Sequence, residues 1–462
     1  MNTYTTGAPP APPSGYSGPG YPGAPAVPAK EWSKRSLLRY MAVIDPAAMV
    51  FWVMATSLVN IAIFGPVRYL LVAYFAAGLF LHYRQTLPTF LRGWPTLIIP
   101  VMCVISALWA PGVSEAIRKG VFMFLTAAVA CYAASRLSIR QILTCYFLGE
   151  ILGCLMSLKS PTPVDGNWTG MFGQKNHLAV HMFILYTTAF VIVLDRGSNK
   201  FLRLLAVPFV PITAFMILMA HSATTLLMVG ASAVAFVGHQ FLWEPASRIK
   251  HARTFLVFSM VVLGSLAILL LFGLLQLDAM ETVLKLFGKD STLTGRTWLW
   301  EIAQRTMNEH PLTGVGAAGF WRQESGLANQ ITTFFFYETY VKFSFHNSYY
   351  ENGVQLGYPG YYATMFLVAW GLFNIVRTWM RNQTLLNAAM MILAITVVIR
   401  ANAEIDFALE LAGTAILFFI GAMRIEKPAP KPQYVFVPDA GPPPIPAPAQ
   451  ITPRMSPGRY GR

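Results

Sequence analysis

Residues 202–242 have the sequence LRLLAVPFVPITAFMILMAHSATTLLMVGASAVAFVGHQFL, which contains two apolar runs, 202–220 and 222–242, separated by His221 alone. Each run is long enough to cross a bilayer as a helix, because a transmembrane helix needs about 20 predominantly apolar residues. The stretch therefore predicts two transmembrane helices joined by a tight turn.

The rest of the chain has the same character. Of its 462 residues, 55% are hydrophobic and 12% are charged, and the mean hydropathy is +0.50, well above that of soluble globular proteins. We therefore predict an all-α, polytopic membrane protein. The apolar runs correspond to about twelve transmembrane helices, at 46–65, 67–83, 94–110, 115–134, 138–158, 176–195, 202–220, 222–242, 254–277, 347–376, 383–400 and 404–423.

These runs divide the chain into segments. Residues 45–277 hold the first to ninth spans, residues 278–345 form a hydrophilic insert with surface helices, and residues 346–424 hold the tenth to twelfth spans. The two ends, 1–44 and 425–462, are rich in proline, which favours extended polyproline II and buries no core. We expect both ends to be disordered arms, and the first span to direct insertion because the first thirty residues lack a signal-peptide pattern.

The basic residues indicate the orientation in the membrane. The net charge of +14 would suggest nucleic-acid binding in a soluble protein, but here the lysines and arginines concentrate in alternate loops, as expected for cytoplasmic loops. Both termini are therefore predicted to be cytoplasmic and the insert to lie outside, with no nucleic-acid partner. The cations that fall on the outer side are Arg118, Lys119, Lys159, Lys175, Arg296, Arg305, Arg322, Lys342 and Arg400. We expect some of them to bind an anion, although any single one is more often paired or solvated.

Arg296 is the first candidate for chemistry. It lies in the first turn of a predicted surface helix that is capped at Thr294 and ends at Pro311. A cation opposes the helix dipole there, whereas a bound phosphate would suit both the helix N-terminus and the arginine fork. Arg296 and the backbone amides near Thr297 therefore form a candidate pyrophosphate clamp. An interfacial arginine that reaches into solvent is an equal alternative.

His346 is the second candidate, at the junction of the insert and the tenth span. Histidine is the side chain best suited to take a proton from a sugar hydroxyl near neutral pH. Helical spacing places Asn347 and Glu351 on one face, and His346 with Tyr350 on another. A histidine at a helix start is more often a cap or a packed ring, so the spacing alone does not establish catalysis.

Other polar positions stand at the outer membrane boundary. Gly170 and Gly173 precede Lys175 and Asn176 in the 170–177 loop, and the turn after His221 adds the hydroxyl of Ser222. Near the last outer turn, Arg400, Asn402, Glu404 and Asp406 place charges where they are costly unless paired or functional.

Several other kinds of site are not expected. The four cysteines all fall in predicted spans without metal-ligand spacing, so we expect buried free thiols. No metal, nucleotide or serine-hydrolase motif is present, so no cofactor is predicted. Gly353 and Gly357 are spaced as a helix-packing face.

Four sequence blocks resemble one known family. They are G-x-F-G-x-K-N at 170–176, S-A-T-T-L-L at 222–227, T-G-R-T-x-L-W at 294–300 and H-N-x-Y-x-E-x-x-x-x-x-G at 346–357. In this order they resemble the O-antigen ligase and Wzy-type polymerase superfamily, with the ExoQ-like exopolysaccharide polymerases as the nearest branch. The resemblance spans roughly residues 45–425 and leaves out the proline-rich arms.

The resemblance implies a GT-C-like, metal-independent, inverting glycosyltransferase in the bacterial inner membrane that uses undecaprenyl-pyrophosphate-linked glycans on the periplasmic side. It implies that Arg296 binds the pyrophosphate and that His346 activates the acceptor hydroxyl. Lys175, Asn176 and Glu404 match further motif positions. It also implies membrane lipid and a co-polymerase that controls chain length as partners.

One departure from the family pattern concerns charge. Ligases of the family usually carry a second arginine shortly after the serine that matches Ser222, and Ala223 occupies the neighbouring place here. Lys175, Arg118 or Lys159 could supply the missing cation. The departure favours the polymerase branch.

The hypothesis is therefore a polymerase that transfers a lipid-linked glycan onto another lipid-linked repeat unit. The first alternative is an O-antigen ligase that passes polymer to lipid A-core. A flippase or transporter would instead line a path through the mid-membrane with cations, and an assembly scaffold would act through the proline-rich ends.

Overall fold

The computed structural model describes residues 34–164, 166–246, 295–334 and 343–425, with a few more between 249 and 262. Within these residues the regular secondary structure is helical, apart from one small hairpin of β1 Pro163–Val164 and β2 Asn167–Trp168. The two strands are antiparallel, with Pro163 opposite Trp168. The prediction of an all-α, polytopic membrane protein is confirmed.

The described helices follow the chain in order. Before the insert they are α1 Lys34–Ser57, α2 Phe64–Leu81, α3 Tyr83–Arg92, α4 Ile98–Ser106, α5 Val113–Arg136, α6 Ile139–Lys159, α7 Lys175–Leu194, α8 Lys200–Ala206, α9 Phe209–Met219 and α10 Ala223–Gly238. The insert contains α11 Arg296–Glu309 and α12 Gly326–Phe334. After it come α13 Ser348–Arg381, α14 Leu385–Arg400 and α15 Gly413–Met423.

Seven stretches of helix in the described part of the chain are long and apolar enough to cross a membrane, or eight if the bent pair formed by α3 and Trp94–Ser106 is one span. Three shorter apolar helices, Val43–Ser57, Leu385–Arg400 and Gly413–Met423, coincide with further predicted runs. Most of the run 254–277, residues 1–33 of the predicted N-terminal arm 1–44 and residues 426–462 of the predicted C-terminal arm 425–462 lie outside the described residues.

Some predicted boundaries differ from the structure. Residues 34–44, assigned to the N-terminal arm, are helical, consistent with the good helix formers Leu, Arg, Met and Ala in this stretch. The 94–110 run meets the preceding helix at 81°, because Pro95 cannot continue that helix. Only the second half of the 404–423 run is helical. The first half forms turns, in which Glu404 lies near Arg296 and Asp406 near Arg400.

The helices pack around α7. This helix contacts α6, α9, α10 and α14, and most of its side chains between Leu178 and Ile192 are buried. On the other side of the molecule, α5 packs on α4 and α15. All four cysteines are free and buried, as predicted.

The insert docks against a break in α13. Gly357 has a left-handed φ of 71°, which interrupts the helix there. A Cβ at this position would lie 2.6 Å from the carbonyl oxygen of Pro311, and the Tyr358 amide donates to that oxygen at 2.8 Å. The expectation of a Gly353 and Gly357 packing face is therefore half right: Gly353 faces Met307 of α11, whereas Gly357 ends a helical segment.

Candidate active site

Four chain segments converge at one point of the structure. They are the start of α7, the start of α11, the start of α13, and the turn between α14 and α15. These segments contribute Asn176, Arg296, His346 and Glu404. The residues are far apart in sequence, so only the fold brings them together.

Glu404 lies at the centre of this cluster. One carboxylate oxygen, Oε1, accepts a hydrogen bond from Asn176 Nδ2 at 3.1 Å and lies 3.7 Å from the Arg296 guanidinium. The other oxygen, Oε2, lies 3.6 Å from His346 Nδ1. Glu404 is only 6% exposed, so these partners offset the cost of burying its charge.

Local sequence explains why the turn that carries Glu404 is fixed. Asn347 caps α13 by accepting hydrogen bonds from the amides of Tyr349 and Tyr350. The next residue, Ser348, donates its hydroxyl to the Glu404 carbonyl oxygen at 2.8 Å and its amide to the Ala401 carbonyl oxygen at 2.8 Å. The H-N-S sequence therefore ties the start of α13 to the 401–404 turn.

His346 has a left-handed backbone, with φ of 47°. This conformation is uncommon for a residue with a side chain, and the surrounding hydrogen bonds of Phe345 and Asn347 hold it. The Phe343 ring meets the imidazole edge-on, with centroids 5.4 Å apart. Nδ1 is the ring nitrogen near Glu404, so Nε2 is not engaged by that carboxylate.

The pKa of Glu404 reflects this setting. Burial raises it, but the nearby side chain of His346 and the charges of Arg400 and His177 lower it more, to about 2. The carboxylate therefore stays ionised near neutral pH and is a poor proton acceptor. It is suited to orienting His346 and would stabilise an imidazolium at this position.

A cavity of about 90 Å³ opens beside the cluster. Its wall combines two guanidinium groups, three hydroxyl side chains near the start of α10, one amide and one carboxylate. The lining residues are Asn176, Ser222, Thr224, Thr225, Met228, Arg296, Thr396, Ile399, Arg400, Ala403 and Glu404. His346 contacts Glu404 from outside this wall.

The predicted site residues fall into two groups. Arg296, His346, Asn176, Glu404 and Ser222 meet in or beside the cavity. Arg296 is the first residue of α11, as predicted, but the N-cap is Gly295, with φ of 81° and no side-chain cap bond. Thr294, the predicted cap, lies outside the described residues. Thr297 follows in the same turn, and Asn347 serves as the cap of α13.

The three cations suggested as substitutes for the second arginine lie elsewhere. Arg118 is exposed on α5, Lys159 is exposed at the end of α6, and Lys175 is partly exposed at the start of α7. None of these described side chains lines the cavity.

Glu351 belongs to a separate buried network. It accepts hydrogen bonds from Trp321 Nε1 at 3.0 Å, from the Phe345 amide at 3.1 Å and from Gln355 Nε2 at 2.9 Å. Gln355 in turn accepts from Lys119 Nζ at 2.7 Å. Because Phe345 precedes His346, this network anchors the segment that carries the candidate base and does not face the cavity.

The sequence marked Arg400 as a charge that is costly at the membrane boundary unless it is paired or functional, but it assigned no substrate-binding role to Arg400. It did not single out Thr224, Thr225 and Thr396 as site residues. The threonines carry no such signal, because hydroxyl residues are common in transmembrane helices.

Comparison with known proteins shows two similarities. Residues 208–365 match the model of the Wzy_C family, described as O-antigen ligase. The match contains Ser222, Arg296 and His346, whereas Asn176, Arg400 and Glu404 lie outside it. The resemblance of the sequence blocks to the O-antigen ligase and Wzy-type polymerase superfamily is confirmed.

A particular relative supports the ExoQ-like branch. The chain is 26% identical over 347 residues to the exopolysaccharide production protein ExoQ of Rhizobium meliloti (strain 1021). The alignment covers 73% of this chain and 78% of that protein. Together the two matches support a multi-pass membrane enzyme that transfers glycans, of the O-antigen ligase or exopolysaccharide polymerase type.

Proposed function

We propose that the protein is a polysaccharide polymerase of the bacterial inner membrane. It transfers an undecaprenyl-pyrophosphate-linked glycan onto another lipid-linked repeat unit at the periplasmic face, by a metal-independent, inverting reaction. The observation that carries the proposal is that Glu404 contacts both Arg296, at 3.7 Å, and His346, at 3.6 Å. A phosphate-binding cation and a candidate base thus lie on either side of one carboxylate.

In the proposed reaction, His346 Nε2 accepts the proton of an acceptor hydroxyl. The hydroxyl oxygen forms a bond to the anomeric carbon of the donor sugar while the bond from that carbon to the pyrophosphate oxygen breaks. The electron pair leaves with the lipid pyrophosphate, whose growing negative charge Arg296 stabilises. Attack on the face opposite the leaving group inverts the anomeric centre.

Glu404 is assigned the orienting role and His346 the proton transfer. A carboxylate with a pKa of about 2 accepts a proton from a hydroxyl group poorly near neutral pH. The same carboxylate holds one imidazole tautomer and stabilises the protonated ring, as in other carboxylate–histidine pairs.

The test is the size distribution of undecaprenyl-linked glycans in a strain that lacks this gene. A polymerase predicts that single repeat units accumulate on the lipid carrier. Complementation with the wild-type gene should restore long chains. Unchanged chain lengths in the deletion strain would contradict the proposal.

An O-antigen ligase is the second candidate, favoured by the description of the family that residues 208–365 match. The same experiment separates the two functions. A missing ligase leaves long polymer on the lipid carrier, whereas a missing polymerase leaves single repeats. The replacement of the second family arginine by Ala223 is the reason to prefer the polymerase.

A further inference from the structure

We propose that Arg400 is the second cation that binds the pyrophosphate of the donor, acting with Arg296 across the cavity. The inference rests on the proposed function, because it specifies how the same site holds a lipid-linked donor. It assigns a binding role to a residue outside the matched family range of 208–365.

Arg296 and Arg400 are positioned to bind one ligand. Arg296 at the start of α11 and Arg400 at the end of α14 both line the cavity of about 90 Å³. They approach it from segments separated by about one hundred residues of chain, and Ser222, Thr224 and Thr225 add hydroxyl groups to the same wall. Two guanidinium groups with hydroxyl donors are the chemistry that binds a diphosphate group.

Hydrogen bonds to neighbouring residues hold the Arg400 side chain in place. Its Nε donates to Asp406 Oδ2 at 3.3 Å, and its Nη1 donates to the Asn176 carbonyl oxygen at 3.2 Å. Asp406 is fixed by Thr414, whose hydroxyl donates to Oδ1 at 2.7 Å. Nη2 makes no hydrogen bond to the residues that the structure describes. The guanidinium group of Arg400 therefore still has N–H donors available for a ligand.

The charges around the two arginines also suit an anionic ligand. In this structure the anion nearest to Arg296 is the carboxylate of Glu404, at 3.7 Å. A diphosphate in the cavity would take over Arg296 and leave Glu404 with Asn176 and His346. Arg400 keeps its own partner, Asp406, which does not line the cavity. The two arginines therefore serve the ligand without leaving either acidic residue unpartnered.

The experiment measures binding of inorganic pyrophosphate to the full-length protein in detergent, by calorimetry. Arg400→Gln combined with Asp406→Asn removes the cation and its buried counterion together, so no unpaired charge remains. The matched control is Arg140→Gln with Asp195→Asn, which removes another arginine–aspartate pair. Asp195 lies at the far end of α7 from Asn176.

We expect the Arg400 and Asp406 variant to bind pyrophosphate about tenfold more weakly or worse, the order of effect of losing one charge-assisted hydrogen bond. The Arg140 and Asp195 variant should bind like the wild type. Equal affinity of all three proteins, or no binding by the wild type, would overturn the inference. If the double variant does not fold, Arg400→Lys is measured instead. Lysine keeps the positive charge but lacks the planar guanidinium group, and wild-type affinity of this variant would also overturn the inference.

The outcome separates this inference from the proposed function. If Arg400 is needed for pyrophosphate binding while the deletion strain accumulates long polymer, the anion site stands and the polymerase assignment fails. If single repeats accumulate while the Arg400 variant binds normally, the polymerase stands and the role of Arg400 fails.

Discussion

One carboxylate contacts both the cation and the base of the candidate active site. Glu404 lies 3.7 Å from Arg296 and 3.6 Å from His346, and it accepts a hydrogen bond from Asn176. Replacing Arg296 or His346 is therefore expected to act on chemistry more than on folding.

Arg296→Ala and His346→Ala should each abolish polymer, with losses of about a hundredfold or more, the size expected for a general base or for a charge that stabilises the leaving group. The controls are Arg305→Ala in the same helix and His310→Ala just after it, both at exposed positions. Polymer is measured by gel profile, and protein by its amount in the membrane fraction. Wild-type polymer in Arg296→Ala or His346→Ala would refute the assigned roles.

The pKa of Glu404 predicts a pH dependence of stability. Its folded-state pKa is about 2, against 4.5 for an unperturbed glutamate. A depressed pKa stabilises the folded state fully above the unfolded value, and this stabilisation, about 3 kcal/mol, is lost as the pH falls through the folded value. The difference in melting temperature between the wild type and Glu404→Gln should therefore shrink between about pH 4.5 and pH 2.

The control for this measurement is Glu324→Gln, because Glu324 has a side chain that is 75% exposed. Its melting curve should follow that of the wild type at each pH. A difference between the wild type and Glu404→Gln that stays constant down to the acid end of the range would show that Glu404 is not stabilised as an anion.

At the scale of elements, the break in α13 joins the membrane helices to the insert. Gly357 reverses the backbone, with φ of 71°, and the Pro311 carbonyl oxygen occupies the space of a side chain. The Val315 amide also donates to the Val354 carbonyl oxygen at 2.9 Å. These contacts fix the insert, and with it Arg296, relative to His346.

Gly357→Ala should destabilise the protein by about 1–3 kcal/mol, because alanine is strained at this φ and its Cβ meets the Pro311 carbonyl oxygen. Gly230→Ala is the control, since Gly230 lies within α10 with no atom within 4 Å of an added Cβ. Thermal unfolding in detergent measures both. Equal melting temperatures would mean that the docking does not depend on this glycine.

At the scale of the whole molecule, the orientation in the membrane is still a prediction. Lys159 is the last residue of α6, before the connection to the start of α7, and Lys200 follows the other end of α7. Both side chains are exposed, and the four native cysteines are buried, so single introduced cysteines can be labelled selectively.

A membrane-impermeant maleimide should label Lys159→Cys in intact cells and Lys200→Cys only after the membrane is permeabilised. The reason is that the basic residues concentrate on the Lys200 side, which the positive-inside rule assigns to the cytoplasm. The opposite labelling pattern would reverse the topology and would place the candidate active site in the cytoplasm.

Sequence reasoning recovered the elements that depend on local composition. Apolar runs such as 176–195 and 202–220 are sufficient to predict transmembrane helices, because a helix needs about 20 apolar residues to cross the membrane. It was less successful at 404–423, because the first half of this run, which contains Glu404 and Asp406, forms turns instead of a helix. Local hydropathy cannot show that Glu404 and Asp406 have partners on other helices.

The sequence by itself determined the class of fold, the positions of the helices, and Arg296 and His346 as candidates, because hydrophobic periodicity and short motifs act over neighbouring residues. Only the tertiary structure decided that Glu404 lies between those two residues, that Arg400 lines a cavity with Arg296 and Glu404, and that Lys175, Arg118 and Lys159 do not line it. The physical reason is that a buried charge selects its partners by distance in space, and these partners come from helices far apart in the chain.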